Sequence, residues 1–206
     1  MSRRCGFVRP PGSLDDCQSS KPSVDSSSGV RGVEPVEPSR LPGVDEAWVG
    51  IGSNLGERSE NIARALEALE PWLVARSPVY ETAPWGIADQ PWFLNLVAQV
   101  RWVGSARELL DHVLSVEQAM GRKRTLRFGP RCIDIDVLIV GGQQIREGGL
   151  VVPHPGIARR RSVLEPWGDL SPNLMVPGVE KTVAALRREA MRLEGQDVHL
   201  WSSAAC

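Results

Sequence analysis

Residues 92–102, Trp92-Phe-Leu-Asn-Leu-Val-Ala-Gln-Val-Arg-Trp102, alternate with a period of two. Leu94, Leu96, Ala98, Val100 and Trp102 fall on one face of a strand, and Phe93, Asn95, Val97, Gln99 and Arg101 on the other. A second stretch, Ile133-Asp-Ile-Asp-Val-Leu-Ile-Val140, is rich in β-branched residues and predicts another strand. Between them, Ser105-Ala-Arg-Glu108 has the spacing of a capping box, with Ser105 as N-cap and Glu108 reaching back to it. The helix it opens carries Leu109, Val113, Val116 and Met120 and stops at Gly121.

Working outward, Trp48-Val-Gly-Ile51 predicts a short strand ending at Gly52-Ser-Asn54. Ile62, Leu66, Leu69 and Leu73 recur at helical spacing, in a helix ending near Pro71, and residues 79–81 predict a further short strand. A last helix is expected from about Lys181 to Gly195, with Val183, Leu186, Ala190 and Leu193 on one face. Strand–helix–strand, strand–helix–strand, then helix is the order of an α+β, ferredoxin-like sandwich, a mainly antiparallel sheet with helices packed on it.

Of the first 46 residues, 20 are Gly, Pro or Ser, and Phe7 is their one aromatic. So little apolar surface cannot offset the entropy of ordering, so residues 1–46 are expected to be a disordered tail before a single domain at 47–201. Arg3 and Arg4 are followed by no apolar run, which excludes a secretory signal, and Asp15, Asp16 and Asp25 argue against a transit peptide. The 206 residues carry a net charge of −1, so bulk charge draws the chain to neither nucleic acid nor anionic lipid. No stretch approaches the roughly 18 apolar residues of a membrane span. Cys5, Cys17, Cys132 and Cys206 share no metal-binding spacing, which points to a reducing, cytoplasmic setting without structural zinc or disulfides.

The sharpest chemical feature is Asp134-Ile-Asp136. On a strand these carboxylates share a face with Cα atoms about 7 Å apart. Repulsion and desolvation both disfavour such a pair, and a divalent cation relieves both. Oxygen ligands alone suit Mg²⁺; a solvated acidic edge strand suits the spacing equally well. Immediately upstream, Arg122-Lys-Arg124-Thr-Leu-Arg127-Phe-Gly-Pro-Arg131 is half basic and has no acid. Cations beside a carboxylate pair are the parts needed to hold a polyphosphate with its Mg²⁺. Pro153-His154-Pro155 follows, with Arg159, Arg160 and Arg161 close behind, which adds a stiffly held imidazole to a cationic cluster. No GxxxxGK[ST] loop, complete GxGxxG or GxSxG is present, so the common nucleotide and hydrolase loops are excluded.

Together these motifs resemble the 6-hydroxymethyl-7,8-dihydropterin pyrophosphokinases of folate synthesis. The resemblance rests on Gly52-Ser-Asn54, Glu81-Thr-Ala-Pro-Trp-Gly86, Gln90-Pro-Trp-Phe-Leu-Asn95, Gly121-Arg122, the run from Arg127 to Asp136, and Val152-Pro-His-Pro155, in order over about 47–178. It implies a monomer that carries out Mg-dependent transfer of pyrophosphate from ATP to the pterin alcohol, with release of AMP. By this likeness Asp134 and Asp136 hold two Mg²⁺ ions, and Arg122, Arg124 and Arg131 serve the transfer. Glu117 (placed on the polar side of its helix), His154 and Arg160 attend the ATP. Thr82, Trp85, Phe93, Asn95 and Phe128 attend the pterin. Asn95 offers both donor and acceptor to a fused amide, and Phe93 on the same face can stack on the heterocycle. Phe128 and Cys132 stand where the family usually has Trp and Thr, and Ser162 where it has an aromatic, which implies stacking that is one-sided or completed by another residue. The rival reading is a non-catalytic ferredoxin-like module whose basic loop 122–131 binds RNA. Nucleotide binding with and without Mg²⁺ separates the two.

Overall fold

The computed structural model describes residues 43–122 and 129–202. These form β1 (Val44–Ser53), α1 (Arg58–Leu69), β2 (Leu73–Arg76), β3 (Tyr80–Thr82), β4 (Phe93–Val103), α2 (Ala106–Ala119) and β5 (Asp134–Val140). Then follow the hairpin β6 (Ile145–Glu147) and β7 (Leu150–Val152), α3 (Arg161–Leu170), β8 (Met175–Val176), β9 (Lys181–Thr182), α4 (Val183–Ala190) and β10 (Val198–Leu200). The main sheet runs β10-β3-β4-β1-β5, with β2 beside the far half of β4, and every pairing is antiparallel. Within it, β5-β1-β4-β2 with α1 and α2 gives the ferredoxin-like arrangement expected from the sequence.

The alternation in β4 explains the layering. Leu94, Leu96, Ala98, Val100 and Trp102 are buried with Val49 and Ile51 of β1 against Ile62, Ala65 and Leu69 of α1 and Leu109, Val113 and Val116 of α2. Val97, Trp48 and Leu138 face the other way, under Val163, Leu164 and Trp167 of α3 and Val183 and Leu186 of α4. At about 25 cal/mol per Å² of buried apolar surface, these two layers supply the main drive to fold.

Local signals set the element ends. The Ser105–Glu108 capping box forms as expected. At the other end of α2, Gly121 takes φ +80°, its N–H bonds to the Gln118 carbonyl and that of Arg122 to the Glu117 carbonyl. This is a Schellman closure, and only glycine adopts that φ without strain. The fold departs from the expected pattern in several places; the last helix, for one, spans Val183–Ala190 in place of 181–195, because Lys181 and Thr182 pair in β9. The Ile62–Leu69 stripe does not continue to Leu73, because Pro71 lies in a 3₁₀ turn (70–72) and Leu73 opens β2. β1 begins at Val44, ahead of the expected domain start at 47. A helix, α3, forms around Pro166, where helical signals are weak.

Candidate active site

The site lies where α3 and α4 leave one end of the second sheet face uncovered. Pairing sets Asn95 of β4, Gly52 of β1 and Asp134 of β5 in one row, and Val97, Gly50 and Asp136 in the next. The central strand therefore contributes no side chains, and its two glycines form the floor of a trough. A Cβ on Gly52 would come within 2.5 Å of Asn95 Oδ1, so any larger residue here displaces the Asn95 amide.

One wall is acidic and basic together. Asp134 pairs with Arg122 (Nη2–Oδ1 2.7 Å) and Arg131 (Nη1–Oδ2 2.9 Å). Arg160 Nη1 donates to Asp136 Oδ2 at 2.7 Å. The Schellman turn delivers Arg122, whose guanidinium also donates to Glu117 Oε1. His154 is set by its own N–H bonding the Leu138 carbonyl at 2.8 Å. Its Nδ1 accepts the Gly156 N–H at 3.1 Å, so the neutral ring carries its proton on Nε2, 3.9 Å from Asp136 Oδ1.

Burial controls the protonation of this wall. It raises the Asp134 carboxyl above the ordinary carboxylate range, and repulsion from Asp136 adds to the rise against the opposing arginines. Glu117 is raised as well, chiefly by burial, although the Ile135 N–H donates to it at 2.7 Å. Burial lowers the His154 pKa, which keeps the imidazole neutral at physiological pH.

The other wall holds the residues expected at the heterocycle. Asn95 Nδ2 donates to Thr82 Oγ1 at 2.7 Å, which orients the amide over the Gly52 floor. The Arg131 guanidinium lies 5.7 Å from the Phe93 ring centre, and that of Arg160 lies 5.3 Å from the Trp85 ring centre. Thr82, Trp85, Phe93, Asn95, Arg122, Arg131, Asp134, Asp136 and Arg160 thus line one cleft. Glu117 and His154 line an adjoining one that shares Arg122 and both aspartates. Arg124 and Phe128 lie outside the described residues.

Glu117 departs from the expected polar face. It is 3% exposed and belongs to the inward side of α2, one turn after Val113. Asn54 is a residue whose work the sequence left unassigned. Buried, it donates to Gln90 Oε1 (3.1 Å) and the Pro91 carbonyl (2.9 Å) and accepts the Arg131 N–H (2.8 Å), tying the two walls together. Arg58 similarly holds Glu81 and the Trp92 carbonyl. Ser162, where the family usually has an aromatic, lines the cleft without a ring.

The donor set fits a phosphate–Mg²⁺ ligand. Among the described residues, the buried Nε atoms of Arg131 and Arg160 have no hydrogen-bond partner, and both belong to this wall. A buried guanidinium N–H left unpaired is costly unless a ligand completes it. Among the described residues, no three carboxylates, imidazoles or thiolates converge into a closed metal cage. Two carboxylates with open positions suit Mg²⁺, which keeps waters and substrate phosphates in its shell.

Comparison with known proteins agrees. The model of the 7,8-dihydro-6-hydroxymethylpterin-pyrophosphokinase family matches residues 48–172. The 2-amino-4-hydroxy-6-hydroxymethyldihydropteridine pyrophosphokinase of Methylorubrum extorquens is 42% identical over 136 residues, covering 64% of this chain and 86% of that protein. The Pseudomonas aeruginosa protein of the same name is 42% identical over 138 residues, covering 65% and 85%. Among solved structures, wild-type Plasmodium falciparum HPPK-DHPS with pteroate superposes with a TM-score of 0.60 at 15% identity, covering 73% of this chain. That likeness concerns the fold, and this chain spans only 43% of the longer protein. With the motifs, the trough and the family match in agreement, this chain belongs to the 6-hydroxymethyl-7,8-dihydropterin pyrophosphokinase family.

Proposed function

We propose that the chain performs its family's reaction with the residues of these two clefts, each in a definite role. The reaction transfers pyrophosphate from ATP to the hydroxymethyl group of 6-hydroxymethyl-7,8-dihydropterin, releasing AMP, in folate biosynthesis. The hydroxymethyl oxygen attacks the β-phosphorus and loses its proton. The bond from that phosphorus to the α-bridging oxygen breaks, and AMP leaves.

In this reading Thr82, Trp85, Phe93 and Asn95 seat the pterin, with Asn95 pairing donor and acceptor on the fused amide. Asp134 and Asp136 hold Mg²⁺, two ions, which neutralises phosphate charge when bound. Arg131 and Arg160 turn their unpaired Nε–H groups to phosphate oxygens, and His154 donates from Nε2. Arg122, leaving Asp134 as nucleotide arrives, stabilises the charge that builds during displacement. Glu117 keeps that arginine in place from the α2 terminus. Arg124 and Phe128 complete the basic loop by the family resemblance alone.

The observation that carries this reading is the convergence of three guanidiniums and an imidazole on one carboxylate pair, beside a trough floored by glycine. RNA binding is disfavoured, because α3 and α4 pack on the sheet face that would have to present stacking aromatics. None of the described helices is long and apolar enough to cross a membrane. A cytoplasmic monomer, with residues 1–42 as a dispensable tail and the enzyme running from β1, at Val44, to about residue 201, completes the proposal. Titration calorimetry with an ATP analogue tests it: binding must require Mg²⁺, and tight Mg²⁺-independent binding of RNA would refute it.

A further inference from the structure

The segment after α4 lies beyond the residues that the family model matches, yet it touches both walls of the site. β10 pairs with β3, Val198 opposite Thr82 and His199 opposite Glu81. The Asp197 carbonyl accepts the N–H of Ala83, which lines the cleft, at 2.9 Å. The His199 ring stacks on Trp92, with centroids 5.7 Å apart and planes 7° from parallel. Gln196 reaches the opposite wall. Its Nε2 donates to the Arg159 carbonyl at 3.0 Å, and its Oε1 accepts the Arg161 N–H at 2.9 Å. Its own carbonyl accepts from Arg161 Nη1 at 3.0 Å. The one residue bracketed by these bonds is Arg160.

Arg160 is the N-cap position of α3 and makes no side-chain cap of its own. A helix start needs acceptors for its first N–H groups, and here Gln196 supplies one from a different part of the chain. Arg160 has long rotatable bonds, and its charge serves phosphate only if its backbone is fixed. We propose that Gln196 is a positioning residue for Arg160, and that segment 196–201 is a strap setting the phosphate wall relative to the pterin wall. The proposal rests on the assignment of Arg160 to phosphate.

The test is a double-mutant cycle on the full chain, with wild type, Gln196→Ala, Arg160→Ala and the double variant. Each protein is measured for kcat, for KM of both substrates and for thermal midpoint. Gln196→Ala is expected to lower kcat/KM for Mg-ATP about tenfold, as for loss of one or two hydrogen bonds, with KM for the pterin unchanged. On the Arg160→Ala background the same change should have no further effect, because residues acting through one group are not additive. Gln196→Glu keeps the acceptor for Arg161 and should recover part of the loss. If Gln196→Ala does not fold, Gln196→Glu carries the same cycle with a smaller effect. Additive losses, or equal losses for both substrates, would overturn the positioning role. An Arg160→Ala enzyme of normal activity would instead overturn the assignment of Arg160, and the positioning role with it.

Discussion

Gly52→Ala separates the pterin wall from the rest of the fold. The added methyl would lie 2.5 Å from Asn95 Oδ1, at the far end of a side chain that can turn away. Turning breaks the 2.7 Å bond from Asn95 Nδ2 to Thr82 Oγ1 and carries the amide off the trough. The protein loses one internal hydrogen bond, about 1 kcal/mol, and regains about 0.5–1 kcal/mol because alanine is less disordered than glycine when unfolded. The thermal midpoint should therefore move by less than about 4 °C. The pterin loses two amide hydrogen bonds, about 2 kcal/mol together, so its affinity should fall about 30-fold. Mg-ATP affinity should hold. Calorimetric titration of each ligand, with a melting curve, gives all three quantities. Gly142→Ala serves as control, since its Cβ would meet nothing within 4 Å and it lies in the turn after β5, at the opposite end of that strand from Asp134. Unchanged pterin affinity in Gly52→Ala, or a parallel loss of ATP affinity, would refute the trough geometry.

Asp134→Ala and Asp136→Ala should each remove nearly all turnover while circular dichroism and melting stay near wild type; near-normal turnover of either at ordinary Mg²⁺ would refute the metal assignment. Glu117→Gln should melt close to wild type, because burial already disfavours its charge, yet lose about tenfold in kcat as Arg122 loses its anchor. Normal kcat in that variant would refute the anchoring role. The raised Asp134 pKa sets a pH dependence. Protons compete with Mg²⁺ for a carboxyl that protonates above the ordinary carboxylate range, so apparent Mg²⁺ affinity should fall on acidification starting above that range. For the metal-free fold the sign is opposite: this carboxyl adds stability at low pH that is lost as pH rises through its raised value. Magnesium titrations and melts across pH check both signs. Deleting residues 1–42 should leave activity and melting unchanged, because so few apolar residues cannot join a core; a large loss of either would refute this.

What the sequence made legible was whatever rests on local periodicity. The alternation of β4, the Ser105–Glu108 box and the α4 stripe each record a burial pattern along one element. Asp134 and Asp136 were legible because two carboxylates on an apolar strand are costly without a ligand. Features that depend on register between strands were not. Gly50 and Gly52 read as the end of a strand and, for Gly52, as part of a family motif, but their work as a trough floor appeared only when pairing set Gly52 between Asn95 and Asp134 and Gly50 between Val97 and Asp136. Glu117 lies one turn after Val113, on the edge of the apolar stripe, a signal its charge obscured. Gln196 carries no motif at all, and its work appears only when the chain end folds back on α3.

Incubating the enzyme with Mg-ATP and 6-hydroxymethyl-7,8-dihydropterin, then quantifying nucleotides and pterins by chromatography, tests the central claim most directly. The account predicts one AMP for each pterin diphosphate formed, with neither product made when Mg²⁺ or the pterin is withheld. Release of ADP in place of AMP, or turnover of ATP indifferent to the pterin, would contradict it.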